Sequence, residues 1–460
     1  MKINYPIILG AFLAATLIYF GLYSLADQPH QIAATSAITL FIAVLWVSEA
    51  LPIPATSMIP FFAFPMAGVL THQQAASALG SHVILLLMGA FMLSKSLEKS
   101  NVHTRLALYM LRLTGSQSAK RLVLGFMLTS AVLSMWISNT ATTLMLLPIV
   151  LAIVPHINNP RIVVALLLGI AFAASLGGVG TPIGTPPNII FMSVYSETQG
   201  KEINFLEWMK TGVPIVVIAI PLMALWLTRG LSKMDQCHLP EVGQWRTAEK
   251  RVLSVFALVA LAWILRPYWT SWFNMPYVGD STIALCGVLL MFVVSTGERN
   301  KDGKRETLLD WPTANSIPWG MLLLFAGGIC IAKAFGASGL SEVMGSWLKG
   351  LSEFPVPLLV LSICLFVTFL TEITSNTATA TLLMPILATA GVAAGIDPVL
   401  LMMPAAISAS CAFMLPVATA PNAIVYGTDK FSIKTMAREG FCLNIIVALV
   451  ITMVTTFTVG

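Results

Sequence analysis

Apolar runs of about 20 residues, each closed by a cluster of Pro, Gly, Ser or charged residues, recur from residue 6 to residue 459. That is the length an α-helix needs to cross a hydrocarbon core of roughly 30 Å. The punctuation predicts membrane helices near 6–26, 33–52, 54–71, 78–98, 161–196, 211–229, 251–269, 280–296, 317–335, 398–426 and 441–459, eleven in all. Two further apolar stretches, 121–155 and 355–391, are too long for one span and too short for two spans and a turn. Each carries the same tripeptide near its middle, Ser138-Asn139-Thr140 and Ser375-Asn376-Thr377. Two arms of some 16 residues at about 1.5 Å per residue reach roughly to the membrane midplane and back. Each stretch therefore reads as a re-entrant hairpin with the tripeptide at its tip; one long tilted helix with a polar kink is the alternative.

Composition changes the picture in one direction only. With 57% hydrophobic and 10% charged residues and a mean hydropathy of +0.86, the chain lies outside the soluble globular class, in which about 25% of residues are charged. No soluble domain fits between the spans, and the expected fold is an all-α polytopic membrane protein. The segment Pro6–Ala26 mimics a signal peptide, but its apolar run is longer than a usual signal core, and it reads as a retained first helix. The net charge of +5 does not point to nucleic acid, because the basic residues sit in the loops. The six Cys (237, 286, 330, 364, 411, 442) form no C-x-x-C pair and indicate neither disulfides nor a metal site.

The chain repeats itself. The tripeptides are 237 residues apart, each is followed by a Leu/Met-rich run ending in Pro-Ile (Pro148-Ile149, Pro385-Ile386), and the pairs Pro187-Asn188 and Pro421-Asn422 are 234 apart. Charge supplies the topology. With the N-terminus inside and both tripeptide stretches treated as hairpins, all but Lys201, Lys210, Arg266, Lys333 and Lys349 of the 25 Lys and Arg fall in cytoplasmic loops, as the positive-inside rule requires. The C-terminus then lies outside, and the hairpins open from opposite faces. The predicted organisation is an N-terminal helix (1–32), a first inverted repeat (33–229, hairpin 121–155), a cytoplasmic linker (230–250) and a second inverted repeat (251–460, hairpin 355–391). Sites at the interface of inverted repeats are a transporter signature. Residues 101–115 and 338–351 read as amphipathic arms in the two interfaces. The cluster Tyr268, Trp269, Trp272, Phe273 and Tyr277 suits an aromatic belt. Lys95 and Lys333, 238 residues apart, read as snorkelling side chains.

A hairpin tip at membrane depth exposes backbone groups that lipid cannot satisfy, so it must be buried in protein or line a polar cavity. Ser, Asn and Thr meet that demand, donating to an anion's oxygens and turning their own oxygens towards a hard cation. Each half also contains a second broken element, Gly177-Gly178-Val179-Gly180-Thr181-Pro182-Ile183-Gly184-Thr185-Pro186-Pro187-Asn188 and Leu415-Pro416-Val417-Ala418-Thr419-Ala420-Pro421-Asn422. Gly permits close backbone approach and Pro removes N–H groups, so carbonyls and half-helix N-termini become available. No Lys or Arg lies in either tripeptide or broken loop. A dianion there needs bound cations and helix N-termini to offset its desolvation.

On these paired tripeptides and paired Pro-Asn loops, the chain resembles the divalent anion:sodium symporter family over nearly its whole length. The resemblance implies a homodimer, each protomer with a scaffold domain and a transport domain that moves as an elevator. It also implies a first sodium site matching Ser134, Ser138, Asn139 and Gly184, and a second matching Thr371, Thr374, Asn376 and Ala418. Substrate carboxylates would meet Ser138, Asn139, Thr140, Ser375, Asn376 and Thr377, with Thr185 and Thr419 nearby. The second loop has Ala-Thr-Ala-Pro-Asn where the first has Gly-Thr-Pro-Pro-Asn, so the two halves are not expected to bind identically.

The expected function is sodium-coupled symport of small dianions across the inner membrane, foremost C4 dicarboxylates such as succinate, malate and fumarate, with Na+ as coupling ion and no organic cofactor. A di- or tricarboxylate exchanger or a sulfate carrier on the same fold is the alternative. An intramembrane enzyme is the distant one, since H-E-x-x-H, G-x-S-x-G and an Asp pair are all missing from the sequence. Two acids stand apart. Glu372 matches Met135 of the first hairpin and reads either as tuning the second cation site or as a structural carboxylate; Glu49 is expected at the end of its helix. The six His (30, 72, 82, 103, 156, 238) are expected at span ends, interfacial or solvated.

Overall fold

A computed structural model describes residues 3–114, 118–157, 159–231, 243–299, 305–348 and 354–459. Lys2, Lys233, Cys237, His238, Lys301, Lys304 and Lys349, and the side chain of His156, lie outside the described residues.

The first part of the chain forms α1 (Tyr5–Phe20), continued by a π-helical turn over Gly21–Leu25, and α2 (His30–Ser48). The expected span 54–71 is instead two short pieces, α3 (Ile53–Thr56) and α4 (Ile59–Met66). Pro52, Pro54 and Pro60 lie at the starts of these pieces and remove the N–H groups that a continuous ladder would use. A Thr71/Gln74 capping box then opens α5 (His72–Leu79), followed by α6 (His82–Ser100) and the amphipathic α7 (Val102–Thr114).

The first tripeptide stretch is two helices, α8 (Ala119–Ser134) and α9 (Asn139–Ile153). Ser138 adopts an extended conformation and its side chain accepts a hydrogen bond from the Ala141 N–H, so the residue starts a new helix rather than continuing the old one. α10 (Pro160–Gly177) runs into a 3₁₀ turn over Gly178–Gly180, and the chain re-enters helix at α11 (Pro186–Gln199) before α12 (Phe205–Leu227).

α13 (Thr247–Ile264) begins inside the stretch expected as linker and is bent by 77° into α14 (Arg266–Trp272), which carries the exposed belt residues Tyr268 and Trp272. After α15 (Asp280–Val293) comes a departure from an all-helical chain. Ser295–Arg299 (β1) pairs antiparallel with Arg305–Thr307 (β2). The alternation is too short to register in a hydropathy profile dominated by 20-residue runs.

From there the order of elements in residues 82–227 recurs. α16 (Trp311–Asn315) leads to α17 (Trp319–Ser338) and α18 (Leu340–Leu348), matching α6 and α7. α19 (Val356–Thr371) and α20 (Asn376–Ala394) match α8 and α9, broken at the second tripeptide. α21 (Val399–Ala409), an irregular stretch and α22 (Ala420–Tyr426) match α10 and α11, and α23 (Ile433–Thr458) matches α12.

Among the described residues, eight helices are long and apolar enough to cross a membrane, or nine if the bent pair α13–α14 counts as one span. The shorter apolar helices, of 10–17 residues, include α9 after the first tripeptide and α19 before the second, whereas α20 after the second tripeptide counts among the eight. α10 is the centre: 94% of its apolar window is buried, and α8, α9, α12 and α22 pack around it. The halves interlock there, since α22 touches α9 and α10, α11 touches α20 and α21, and α12 lies along α23. Phe172 of α10 and Phe413 meet with ring centroids 5.1 Å apart. Outward-facing residues such as Leu17, Val217, Leu225, Phe366, Met453 and Phe457 are exposed, which suits hydrocarbon rather than water. Cys286, Cys330, Cys364, Cys411 and Cys442 are free thiols.

Candidate functional site

Four interruptions of helix converge on one cavity of about 870 Å³. Its wall contains both complete tripeptides, Ile183–Pro186 of the first broken loop and Val417–Pro421 of the second. Of the residues singled out in the sequence, Ser138, Asn139, Thr140, Gly184, Thr185, Thr374, Ser375, Asn376, Thr377, Ala418 and Thr419 all line it. Ser134 and Thr371 do not; each sits buried behind its tripeptide.

Those two buried hydroxyls perform the same task in the two halves. Ser134 Oγ donates to Asn139 Oδ1 at 2.6 Å, and Thr371 Oγ1 donates to Asn376 Oδ1 at 2.7 Å, each across five residues. The amide oxygen of each tripeptide Asn is thereby held in a fixed direction. Thr371 Oγ1 also reaches the Ala409 carbonyl at the end of α21 (3.1 Å). Thr374 bonds Thr379 at 2.7 Å, and Ser410, at the end of α21, donates to Thr185 Oγ1 of the first broken loop at 3.3 Å.

The Pro-Asn pairs have a structural role that the sequence did not disclose. Asn188 Nδ2 donates to the Gly178 carbonyl (2.9 Å) and the Thr181 carbonyl (2.8 Å), and Asn422 Nδ2 donates to the Ala412 and Leu415 carbonyls (both 3.0 Å). In both halves the spans are ten and seven residues. Each Asn closes its broken loop by taking up two carbonyls that the interrupted helix leaves free. Gly178 and Gly184 let the first loop fold on itself: a Cβ on Gly184 would run into the Gly178 backbone, and one on Gly178 would lie 2.9 Å from Asn139 Oδ1.

Helix–loop attachment is where the halves differ. Position 135 of the first hairpin is linked to position 181 of its loop, and position 372 of the second to position 415, which is seven residues before the loop Asn in both cases. In the first half Thr181 Oγ1 donates to the Met135 carbonyl. In the second the Glu372 carboxylate does this work, accepting from the backbone N–H groups of Phe413 (2.7 Å), Met414 (2.9 and 3.0 Å) and Leu415 (3.0 Å), and from Asn444 Nδ2 (2.7 Å). Glu372 is buried and does not line the cavity. Its geometry is that of a structural carboxylate.

The electrostatics of the cavity follow from helix direction. Ser138 and Ser375 stand at the N-caps of α9 and α20, 15 and 19 residues long, and Thr185 at the N-cap of the 14-residue α11; Thr419 caps the shorter α22. Each N-terminus carries roughly half a positive charge and unpaired N–H groups. α8, α10, α19 and α21 end where these begin, bringing carbonyl oxygens to the same depth. Anion-binding and cation-binding ends are thus interleaved around one space, an arrangement suited to an anion and hard cations bound side by side. Among the described residues no group of three or more His, Cys, Asp or Glu is placed to hold a metal ion, so a cation here would rest on neutral oxygens.

The rest of the wall was not anticipated. Glu49, at the end of α2 with φ of 48°, faces the cavity, as do Phe91, Ser94, Lys95 and Glu98 of α6 and Ser316, Pro318 and Met321 before and within α17. Lys95 does not simply snorkel: its ammonium pairs with Glu98 at 2.6 Å. Lys333 likewise pairs with Glu197 (3.4 Å) and bonds Ser77 Oγ (2.8 Å). His103, expected at an interface, is buried and bonded to the Leu97 carbonyl.

Comparison with known proteins supports the same reading of the chain. Residues 43–402 match a family model described as citrate transporter. The sodium-dependent dicarboxylate transporter SdcS of Staphylococcus saprophyticus is 41% identical over 98% of this chain and 91% of its own length. Proteins of the same name from Staphylococcus aureus strains are 40% identical over 93% of this chain and 86% of theirs. Among solved structures, the Alcanivorax borkumensis YdaH transporter superposes with a TM-score of 0.62 over 93% of this chain and 99% of its own, at 15% identity; that likeness speaks to the fold.

Proposed function

The chain belongs to the citrate transporter family, within the divalent anion:sodium symporters that its paired tripeptides resemble, and on that premise we propose that it is a sodium-coupled symporter of C4 dicarboxylates such as succinate, malate and fumarate. It is a multi-pass membrane transporter, not an enzyme. The observation that carries the reading is the convergence of both tripeptides and both broken loops on one cavity whose tips and loops contain no basic side chain. The relatives named above as sodium-dependent dicarboxylate transporters support both the substrate class and the coupling ion.

In this reading Ser138, Asn139, Thr140, Ser375, Asn376 and Thr377 hold the two substrate carboxylates, with Thr185 and Thr419 beside them. One sodium ion sits among Ser134, Ser138, Asn139 and Gly184 and another among Thr371, Thr374, Asn376 and Ala418. The hydroxyl-to-amide bonds that fix Asn139 and Asn376 orient an acceptor for each ion. Sodium binds first and, with the helix N-termini, supplies the positive charge that makes the dianion's desolvation tolerable. Two inverted repeats, 33–229 and 251–460, contribute to a scaffold domain and to a transport domain that carries the site across the inner membrane as an elevator in a homodimer, the N-terminus cytoplasmic and the C-terminus outside.

Gradient-driven uptake and counterflow of labelled succinate, citrate and sulfate in proteoliposomes, comparing sodium, lithium and potassium, test this. Net succinate uptake into empty vesicles driven by a sodium gradient is expected. Strict exchange, or uptake indifferent to sodium, would overturn it. Ser138→Ala and Asn376→Ala should each abolish uptake, because one site is shared by both halves.

A further inference from the structure

Lys95 on α6 and Lys333 on α17 occupy matching positions in the repeated order of elements, 238 residues apart against 237 for the tripeptides. Each is partly buried on an apolar helix and held by an acid: Lys95 by Glu98 at 2.6 Å, Lys333 by Glu197 at 3.4 Å. Each also lines a cavity, but a different one. Among the described residues, Lys95 is the only basic one on the wall of the space that contains both tripeptides. Lys333 lines a second cavity of about 510 Å³ formed by the far ends of α11 and α20 with α17 and α18.

The two cavities lie at opposite ends of the same helices. α11 and α20 start at the tripeptide cavity, at Pro186 and Asn376, while Glu197 and Ala388, eleven and twelve residues on, line the second. At 1.5 Å per residue that separates them by roughly 17 Å. Between them α11, α17 and α20 are packed together, so closely that a Cβ on Gly328 of α17 would lie 2.5 Å from the Thr381 methyl of α20. One cavity contains the site, and these packed helices stand between it and the other.

A charged side chain on an apolar membrane helix marks an ion path more often than a structural contact. A lysine ammonium has three donors, and Lys95 spends one on Glu98, leaving others for a carboxylate oxygen. We propose that Lys95 and Lys333 receive the dianion at the two entrances of the transporter, one on each face of the membrane, each sharing its ammonium between its resident acid and a substrate carboxylate in transit. The acid partner keeps the lysine from trapping the substrate, since passage requires binding strong enough to enter and weak enough to leave. This rests on the functional reading above, and it adds an entrance on each face to the central site.

Sidedness is the signature, because in alternating access each entrance serves flux from one face only. Labelled succinate influx and efflux are measured in vesicles of uniform protein orientation. Lys95→Gln should raise KM about fivefold for flux from one face and less than twofold from the other, and Lys333→Gln should do the converse; rim charges act mainly through encounter rates, so both effects should shrink at high salt. Glu98→Gln and Glu197→Gln, which free the two lysines, should lower KM on the same respective faces, and they give the answer even if a Gln-for-Lys variant does not fold. Unchanged KM in all four variants, or equal changes in both directions, would overturn the proposal while leaving wild-type sodium-driven flux intact. Absence of that wild-type flux would instead overturn the functional reading, and the proposal with it.

Discussion

Glu372 accepts from three backbone N–H groups of its loop and from the Asn444 side-chain amide, while in the other half the Met135 position is hydrogen-bonded to its loop through its carbonyl. Replacing Glu372 with Gln turns one acceptor oxygen into a donor and sets it against backbone N–H groups. A buried donor left unsatisfied costs about 1–3 kcal/mol, so Glu372→Gln should lower the thermal unfolding midpoint in detergent by several degrees. Met135→Leu should leave it nearly unchanged, because the bond at that position comes from the main chain. The hydroxyls of Ser134 and Thr371 should act on the ion rather than on the fold. Losing one neutral hydrogen bond is worth about 1 kcal/mol, so Ser134→Ala and Thr371→Val should each raise the sodium concentration for half-maximal uptake about fivefold, with succinate KM at saturating sodium little changed. The tripeptides and broken loops were plain in the sequence as repeated polar or Gly/Pro-rich islands in apolar runs. The partner of Glu372 was not, because its donors are main-chain N–H groups 41 to 43 residues away, which no side-chain pattern records.

At the scale of elements, the broken loops are rigid devices. Asn188 and Asn422 close them with paired bonds to carbonyls, and Gly184 folds against the Gly178 backbone. Asn188→Asp would aim a carboxylate at two carbonyl oxygens, and Gly184→Ala would place a methyl inside main chain. Both should abolish sodium-driven uptake without preventing membrane insertion, measured as uptake normalised to protein in the vesicle. A polar tie at the last turn of α6 joins it to the segment before α17: Lys99 donates to Asp310 at 2.6 Å and to the Thr307 carbonyl. Burial opposes the ionisation of Asp310, but the Lys99 ammonium and the Thr313 hydroxyl and N–H outweigh it and hold its pKa at about 2. The folded value is below the unfolded one of about 3.9, so the contribution is complete above about pH 4 and is lost as the pH falls through 2. The difference in unfolding midpoint between wild type and Asp310→Asn should accordingly be the same at pH 5 and pH 8. Helix positions were legible from hydropathy. The breaks within 54–71 and at Leu265 and the β1–β2 hairpin were not, since Pro-initiated short helices and a five-residue strand are smaller than the window that reveals a span.

For the molecule as a whole, the repeat was legible because duplicated sequence keeps its spacing, and the meeting of the two halves could be inferred from it. What could not be inferred was the other wall of the cavity. Glu49, Lys95, Glu98 and Met321 come from helices with ordinary apolar patterns, and only packing brings them to face the tripeptides. The central claim is that a dianion is held at neutral side chains and helix N-termini whose positive charge is completed by sodium. Equilibrium binding of succinate to the purified protein, titrated across sodium concentration at constant ionic strength with choline as the replacement, tests it most directly. The account predicts a dissociation constant that falls steeply as sodium rises and no measurable binding in choline alone; a dissociation constant independent of sodium would contradict it.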